Sequence, residues 1–175
     1  MHSGANAHNL VILGDGVLRG ELTSLINKLD LQSVVHLPGF KQYDELPYYY
    51  AFASVFIHAS TTEQWGLVVN EAMAAGLPVI VSERCGCVPE LVKNSFNGFT
   101  FNPFVSSELT EKMQAVTSSK YDLKQMGRNS TEIISEWQPD HFGKGLKRAV
   151  ESAFTEPRKK GSLTDNLLLK YLIQR

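Results

Sequence analysis

Cysteine is almost missing from this chain: Cys85 and Cys87 are the only two in 175 residues. A pair separated by one residue is too close for an easy disulfide, and two thiols are too few for a zinc site, where four ligands are usual. Both read as buried or loop thiols. An excess of charge of one sign is missing as well. Lys and Arg number 17 against 18 Asp and Glu, a net charge of -1, so there is no basic field to attract nucleic acid. No apolar run approaches the ~20 residues that a bilayer-spanning helix needs, and the polar opening Met1-His2-Ser3-Gly4-Ala5-Asn6 is unlike a signal peptide. A cytoplasmic location is therefore expected. No Asp-x-Asp occurs, which removes the simplest carboxylate pair for gripping a diphosphate through a divalent metal. Gly14-Asp15-Gly16 is followed by Arg19 where a dinucleotide fingerprint needs its third glycine, and Gly143-Lys144-Gly145 lacks the spacing and hydroxyl of a P-loop.

What is present is a hydrophobic content of 43%, enough for one domain with a sizeable core. Short runs, several of them β-branched or aromatic, predict strands at 10–14, 34–37, 55–59, 78–82 and 98–101. Helices fit between them at about 18–29, 44–53 and 67–75, with a short one at most in Pro89-Glu90-Leu91-Val92. This alternation predicts an α/β fold: a Rossmann-like parallel sheet of about five strands with flanking helices. Beyond Pro103 the pattern is helical. Leu109, Met113 and Val116 form one apolar face, and Met126, Ile133 and Trp137 help to form another. Pro139 breaks the chain, and Phe142, Leu146, Ala149, Val150 and Ala153 line a third helix. His36 and His58 lie in strand-like apolar runs and read as hydrogen-bonded core histidines, with His58, at its strand's end, only a weak site candidate.

The most informative stretch runs from Glu63 to Pro78. An apolar strand ending at Ala59 enters the polar loop Ser60-Thr61-Thr62, and a helix from Leu67 to about Ala75 stops at Gly76 and Pro78. Glu63 then stands in the loop and Glu71 within the first turn or so of the helix. In a parallel sheet this loop lies outside the carboxyl end of a strand, where ligands of such sheets bind. The N–H groups of Gly66, Leu67 and Val68 would lack intrahelical partners at the positive end of the helix dipole, a receptor for phosphate. Carboxylates beside a phosphate are better aimed past it, at hydroxyl groups. Hydroxyls on either side of a diphosphate describe a sugar nucleotide.

Taken with the helix end Ala72-Met73-Ala74-Ala75-Gly76-Leu77-Pro78 and the strand Val79-Ile80-Val81-Ser82, the stretch closely resembles the signature of GT-B glycosyltransferases, specifically the retaining enzymes of glycosyltransferase family 4. Leu10-Val11-Ile12-Leu13-Gly14-Asp15-Gly16, Val34-Val35-His36-Leu37-Pro38-Gly39-Phe40, Gly86-Cys87-Val88-Pro89-Glu90-Leu91-Val92 and Asn97-Gly98-Phe99 are similar to further segments of that family, in its order. The likeness covers about residues 10–150.

The resemblance implies a C-terminal donor-binding domain over 10–154, followed by a linker and tail over 155–175. It implies a metal-independent transfer, with retention, from a nucleoside-diphosphate sugar such as a UDP- or GDP-sugar. Glu63 would contact donor-sugar hydroxyls near the reacting carbon, the backbone of Gly66, Leu67 and Val68 would hold the diphosphate, and Glu71 would bond the ribose. The backbone around Phe40 and Lys41 would meet the base. Gln64 and Trp65 depart from the family's small residue followed by Phe.

The family's basic pair, which neutralises the leaving diphosphate, has no counterpart before Leu10, nor does an acceptor domain. The chain is accordingly expected to be a fragment, or one part of a split enzyme whose partner supplies the rest, with a polysaccharide, lipid-linked sugar or small molecule as acceptor. The missing segment corresponds to the first, central strand of the sheet, so the strands at 10–14 and 55–59 must flank a gap or pair directly. Two functions stay open: a glycosyltransferase or its donor half, and a non-catalytic module binding a nucleotide sugar or a partner chain. Glu156 to Gly161 reads as a linker. Leu163 to Arg175 reads either as a helix docking on a domain, a partner or the inner face of a membrane, or as a poorly ordered tail.

Overall fold

The computed structural model describes residues 8–118 and 120–155, Thr164 and residues 170–172. The linker read over Glu156 to Gly161 lies outside the described residues, as does most of the tail. The chain divides into two compact units, one ending at Ser135 and one beginning at Glu136.

In the first unit strands and helices alternate: β1 (Leu10–Leu13), α1 (Arg19–Lys28), β2 (Val35–Gly39), α2 (Leu46–Phe52), β3 (Phe56–His58), α3 (Leu67–Ala74), β4 (Val79–Ser82), α4 (Val88–Leu91) and β5 (Gly98–Phe101), then α5 (Ser106–Thr117) and α6 (Leu123–Ser135). Every strand pairing is parallel. β4 is buried along its whole length, as a strand between two neighbours with helices on both faces should be. Its period of two sends Val79 and Val81 into one core with Val69, Met73 and Leu91, and Ile80 into another with Phe99, Phe101, Val116 and Met126.

The strands do not form one sheet. Those described fall into a pair, β1-β2, and a triplet, β3-β4-β5. Of the two outcomes expected at the missing central position, the gap is the one found, and direct pairing of β1 with β3 is not. In a sheet of order 3-2-1-4-5-6 the described strands take the places either side of strand 1. The consequence is visible on β1, where Val11 and Ile12 are 44% and 37% exposed, and on α1, which has no buried residue. His36 is also exposed, its ring nitrogen 3.3 Å from Asn9 Oδ1. The expectation of a core histidine fails there because this face of the β1-β2 pair is uncovered.

Gly98 opens β5 because nothing larger fits: a Cβ there would lie 2.0 Å from the carbonyl oxygen of Val79. Gly98→Ala is expected to cost about 3 kcal/mol, read as a lower urea midpoint. Asn97, fully buried, closes the α4–β5 loop by accepting from Lys93 N at 2.8 Å and donating to Leu91 O at 3.0 Å.

The second unit holds α7 (Pro139–Thr155). Pro139 begins this helix rather than breaking the chain before it, since proline's fixed φ and missing N–H suit a first helical position. Phe142, Leu146 and Val150, read as a packing face, are exposed. Trp137 lies beyond the end of α6, which keeps Met126 and Ile133 as buried residues.

Candidate functional site

The site is built at the carboxyl ends of β3 and β4. Beyond β3 the chain bends but runs beside the segment that follows β4: Glu63 forms a parallel bridge with Cys85, Gly86 N donates to Glu63 O at 3.0 Å, and Cys87 N donates to Trp65 O at 3.1 Å. The Cys85 thiol donates to the same Trp65 oxygen at 2.8 Å. Gly86 must be glycine, since a Cβ would sit 1.8 Å from Gln64 O. Glu63 therefore leaves a fixed backbone, although its position alone reads as a solvated loop.

Gly66 turns that segment into α3. It is the N-cap of the helix at φ 95° and ψ 64°, with no side-chain cap, a left-handed conformation that glycine adopts without a Cβ penalty. Val69 N bonds back to Gly66 O at 2.9 Å, and the N–H groups of Gly66, Leu67 and Val68 have no backbone acceptor. Gly66 itself is buried, while Leu67 and Val68 are 68% and 37% exposed, so the helix start stands at the surface at the positive end of the dipole. Trp65 Nε1 donates to Asn70 Oδ1 at 3.0 Å, which ties the loop to the helix and gives the Trp in place of Phe a local purpose.

The helix starts at Leu67, as expected, and Glu71 is its fifth residue, just past the first turn. Tyr50 of α2 donates to its Oε2 at 2.9 Å. Burial and this bond hold the Tyr50 hydroxyl well above the ordinary tyrosine pKa, so it stays a donor and leaves Oε1 of Glu71 for another partner. Tyr50→Phe is expected to weaken ligand binding at Glu71 roughly fivefold, the worth of about 1 kcal/mol for one hydrogen bond, measured by titration calorimetry.

Phe40 and Lys41 stand at the end of β2, in the other sheet. Gly39 turns the chain at φ 83°, Phe40 is exposed, and the Lys41 ammonium pairs with Glu45 at 3.2 Å and lies 5.9 Å above the Tyr49 ring. Hydrogen bonding to Glu45 holds the Lys41 pKa above its ordinary value. Consecutive tyrosines of α2 thus touch both groups of predicted residues, Tyr49 at Lys41 and Tyr50 at Glu71.

Two neighbours of these residues, Tyr50 and Arg84, gave no signal in the sequence, and a third, His58, read only as a weak site candidate. Tyr50 is one of three consecutive tyrosines, and only the helix phase picks it out. Arg84 lines an open cleft of about 380 Å³ together with Glu63, Glu83, Gly86 and Pro89; a lone arginine after a strand carries no signal. His58 is not the hydrogen-bonded core residue expected: its Nε2 is buried without a partner and lies 3.8 Å from Glu63 Oε2. Burial lowers its pKa from the usual histidine value while Glu63 pulls the other way. The two thiols are free and buried, 3.5 Å apart, and burial pushes Cys87 up to about 12. Among the described residues no group of three or more His, Cys, Asp or Glu gathers as a metal site, and no helix is long and apolar enough to cross a membrane.

Comparison with known proteins matches residues 5–133 to the family described as glycosyl transferases group 1. The α-monoglucosyldiacylglycerol synthase of Acholeplasma laidlawii is 32% identical over 150 residues, covering 86% of this chain and 37% of that protein. The sulfoquinovosyl transferase SQD2 of Arabidopsis thaliana is 30% identical over 131 residues, 73% of this chain and 25% of its own length. The chain thus spans well under half the length of these curated relatives. Among solved structures, Anabaena HepE in complex with UDP superposes with a TM-score of 0.73 at 25% identity, covering 83% of this chain and 41% of that one.

Proposed function

The chain belongs to the glycosyl transferases group 1 family, and from that premise we propose that it is the donor-binding half of a retaining, family 4 glycosyltransferase that takes a nucleoside-diphosphate sugar. The observation that carries this reading is the junction at Gly66: three unpartnered N–H groups at a helix start, with Glu63 before them and Glu71 one turn after. The diphosphate is held by those N–H groups and the helix dipole without a metal ion, Glu71 Oε1 accepts from a ribose hydroxyl, and Glu63 accepts from donor-sugar hydroxyls. The backbone at Phe40 and Lys41 meets the base. Complexes of HepE with UDP, with UDP and glucose, and with UDP-glucose support a nucleotide-sugar ligand.

In such a transfer, charge develops on the departing diphosphate, and fixed donors aimed at it lower the barrier. Gly66 to Val68 supply part of that stabilisation. Arg84 is the cation among the residues lining the cleft. We assign the remaining cations, the acceptor site and a parallel strand between β1 and β3 to polypeptide outside the described residues, acting at the inner face of a membrane or in the cytoplasm. A non-catalytic nucleotide-sugar module is the second reading, favoured by the unclosed sheet. Thermal unfolding tests the ligand class. UDP, GDP or ADP at a hundredfold excess over its Kd should add about 2.7 kcal/mol of stability, while the parent nucleoside should add far less. Equal shifts from nucleoside and diphosphate would refute the phosphate site. Anomeric configuration of the product, read by proton NMR on a complete enzyme, tests retention.

A further inference from the structure

A row of side chains connects the two glutamates. Glu71 accepts from Tyr50; the Tyr50 and Phe56 rings are 5.9 Å apart; the Phe56 and His58 rings are 6.3 Å apart and nearly parallel at 12°; and His58 Nε2 faces Glu63 Oε2 at 3.8 Å. Phe56 and His58 share a face of β3 because they are two residues apart. Their strand is fixed on one side by the β4 ladder, with His58 opposite Val81. The imidazole is thus held by a stacked ring and a paired backbone, whereas the Glu63 side chain is 36% exposed and has no hydrogen bond among the described residues.

At 3.8 Å the pair is beyond hydrogen-bond length, which for nitrogen and oxygen ends near ~3.2 Å. Yet Nε2 is buried and has no other partner. A buried polar nitrogen without a bond is unfavourable, and the group nearest to relieving it is the partly exposed Glu63 carboxylate of the candidate donor site.

We propose that His58 is a positioning residue for Glu63: with its proton on Nε2, it takes up a hydrogen bond to the carboxylate when a donor sugar orders that side chain, and so fixes which oxygen Glu63 presents to the sugar. The inference rests on the donor-site reading above. The neutral ring is the form required, and burial favours it by lowering the pKa. A residue that only fills space at the end of β3 would need no nitrogen at this position.

The test uses UDP-glucose, UDP-N-acetylglucosamine and GDP-mannose, each beside its parent diphosphate, in calorimetric titrations of the chain, His58→Leu and His58→Gln. Glutamine places an amide donor near the Nε2 position. His58→Leu should weaken the sugar nucleotide that binds about fivefold or more, leave UDP or GDP within about twofold, and be largely rescued by His58→Gln. Equal losses for sugar nucleotide and diphosphate, or no difference between Leu and Gln, would overturn the proposal. Should His58→Leu fail to fold, the imidazole of the unaltered chain carries the test: its Nε2 resonance in 15N spectra should shift on adding the sugar nucleotide but not the diphosphate, and an unmoved resonance overturns the assignment. Absence of binding by the unaltered chain to every nucleotide would instead sink the donor reading itself, and the proposal with it.

Discussion

Glu71→Ala should weaken nucleoside-diphosphate sugar binding roughly 10- to 100-fold, the range for losing a hydrogen bond to a charged acceptor, about 1.5–3 kcal/mol. Two effects combine. The oxygen proposed to accept from the ribose disappears, and the half-buried Tyr50 hydroxyl loses its acceptor at 2.9 Å. Glu71→Gln separates them, because an amide oxygen can still accept from Tyr50 while the charge is gone; its loss should fall between that of Tyr50→Phe and that of Glu71→Ala. Calorimetry on all three orders them. Ribose recognition also predicts that the loss is shared by UDP and by its sugar derivatives, whereas Glu63→Ala should act on the sugar derivatives alone. An unchanged affinity in Glu71→Ala would remove the ribose assignment.

Gly66→Ala should lower stability by about 3 kcal/mol, adding a left-handed backbone cost of roughly 1–2 kcal/mol to an overpacking cost of roughly 1–3 kcal/mol. At φ 95° a side chain is strained whatever the space, and a Cβ would also sit 2.6 Å from the Cys85 sulfur. Since domains of this size have only about 5–15 kcal/mol in reserve, a marked drop in the urea midpoint is expected. A second substitution, Cys85→Ala, removes the sulfur that the new methyl group meets. In the Cys85→Ala background, Gly66→Ala should therefore cost less, by the overpacking part, while the backbone part persists. Equal costs in both backgrounds would show that the sulfur is not what limits the position.

Much of the fold was legible because each strand is a short apolar run bounded by turn residues. The strands read at 98–101 and 78–82 became β5 (Gly98–Phe101) and β4 (Val79–Ser82). The junction at Gly66 could be read too, since glycine before an apolar helix and Gly76-Leu77-Pro78 after it are local signals. What could not be read is what arrives from far along the chain. The segment carrying Glu63 is held by Cys85, Gly86 and Cys87, some twenty residues away, and no local pattern announces that pairing. His58 sits in a run that looks like core, yet its ring nitrogen faces a carboxylate five residues on. Tyr50 is indistinguishable from Tyr48 and Tyr49 until the phase of α2 is known. The split of the sheet was legible only as a choice between a gap and direct pairing, because strand order depends on pairing energies that sequence periodicity does not encode.

The central claim is that the Glu63–Glu71 junction binds the nucleoside-diphosphate part of a sugar donor. Titration calorimetry of the folded chain with UDP, GDP and ADP and their glucose or mannose derivatives tests it most directly. Saturable binding of at least one nucleoside diphosphate and its sugar derivative, weakened at least tenfold by Glu71→Ala, is the predicted result. A well-folded chain that binds none of them, or binds them equally well without Glu71, would contradict it.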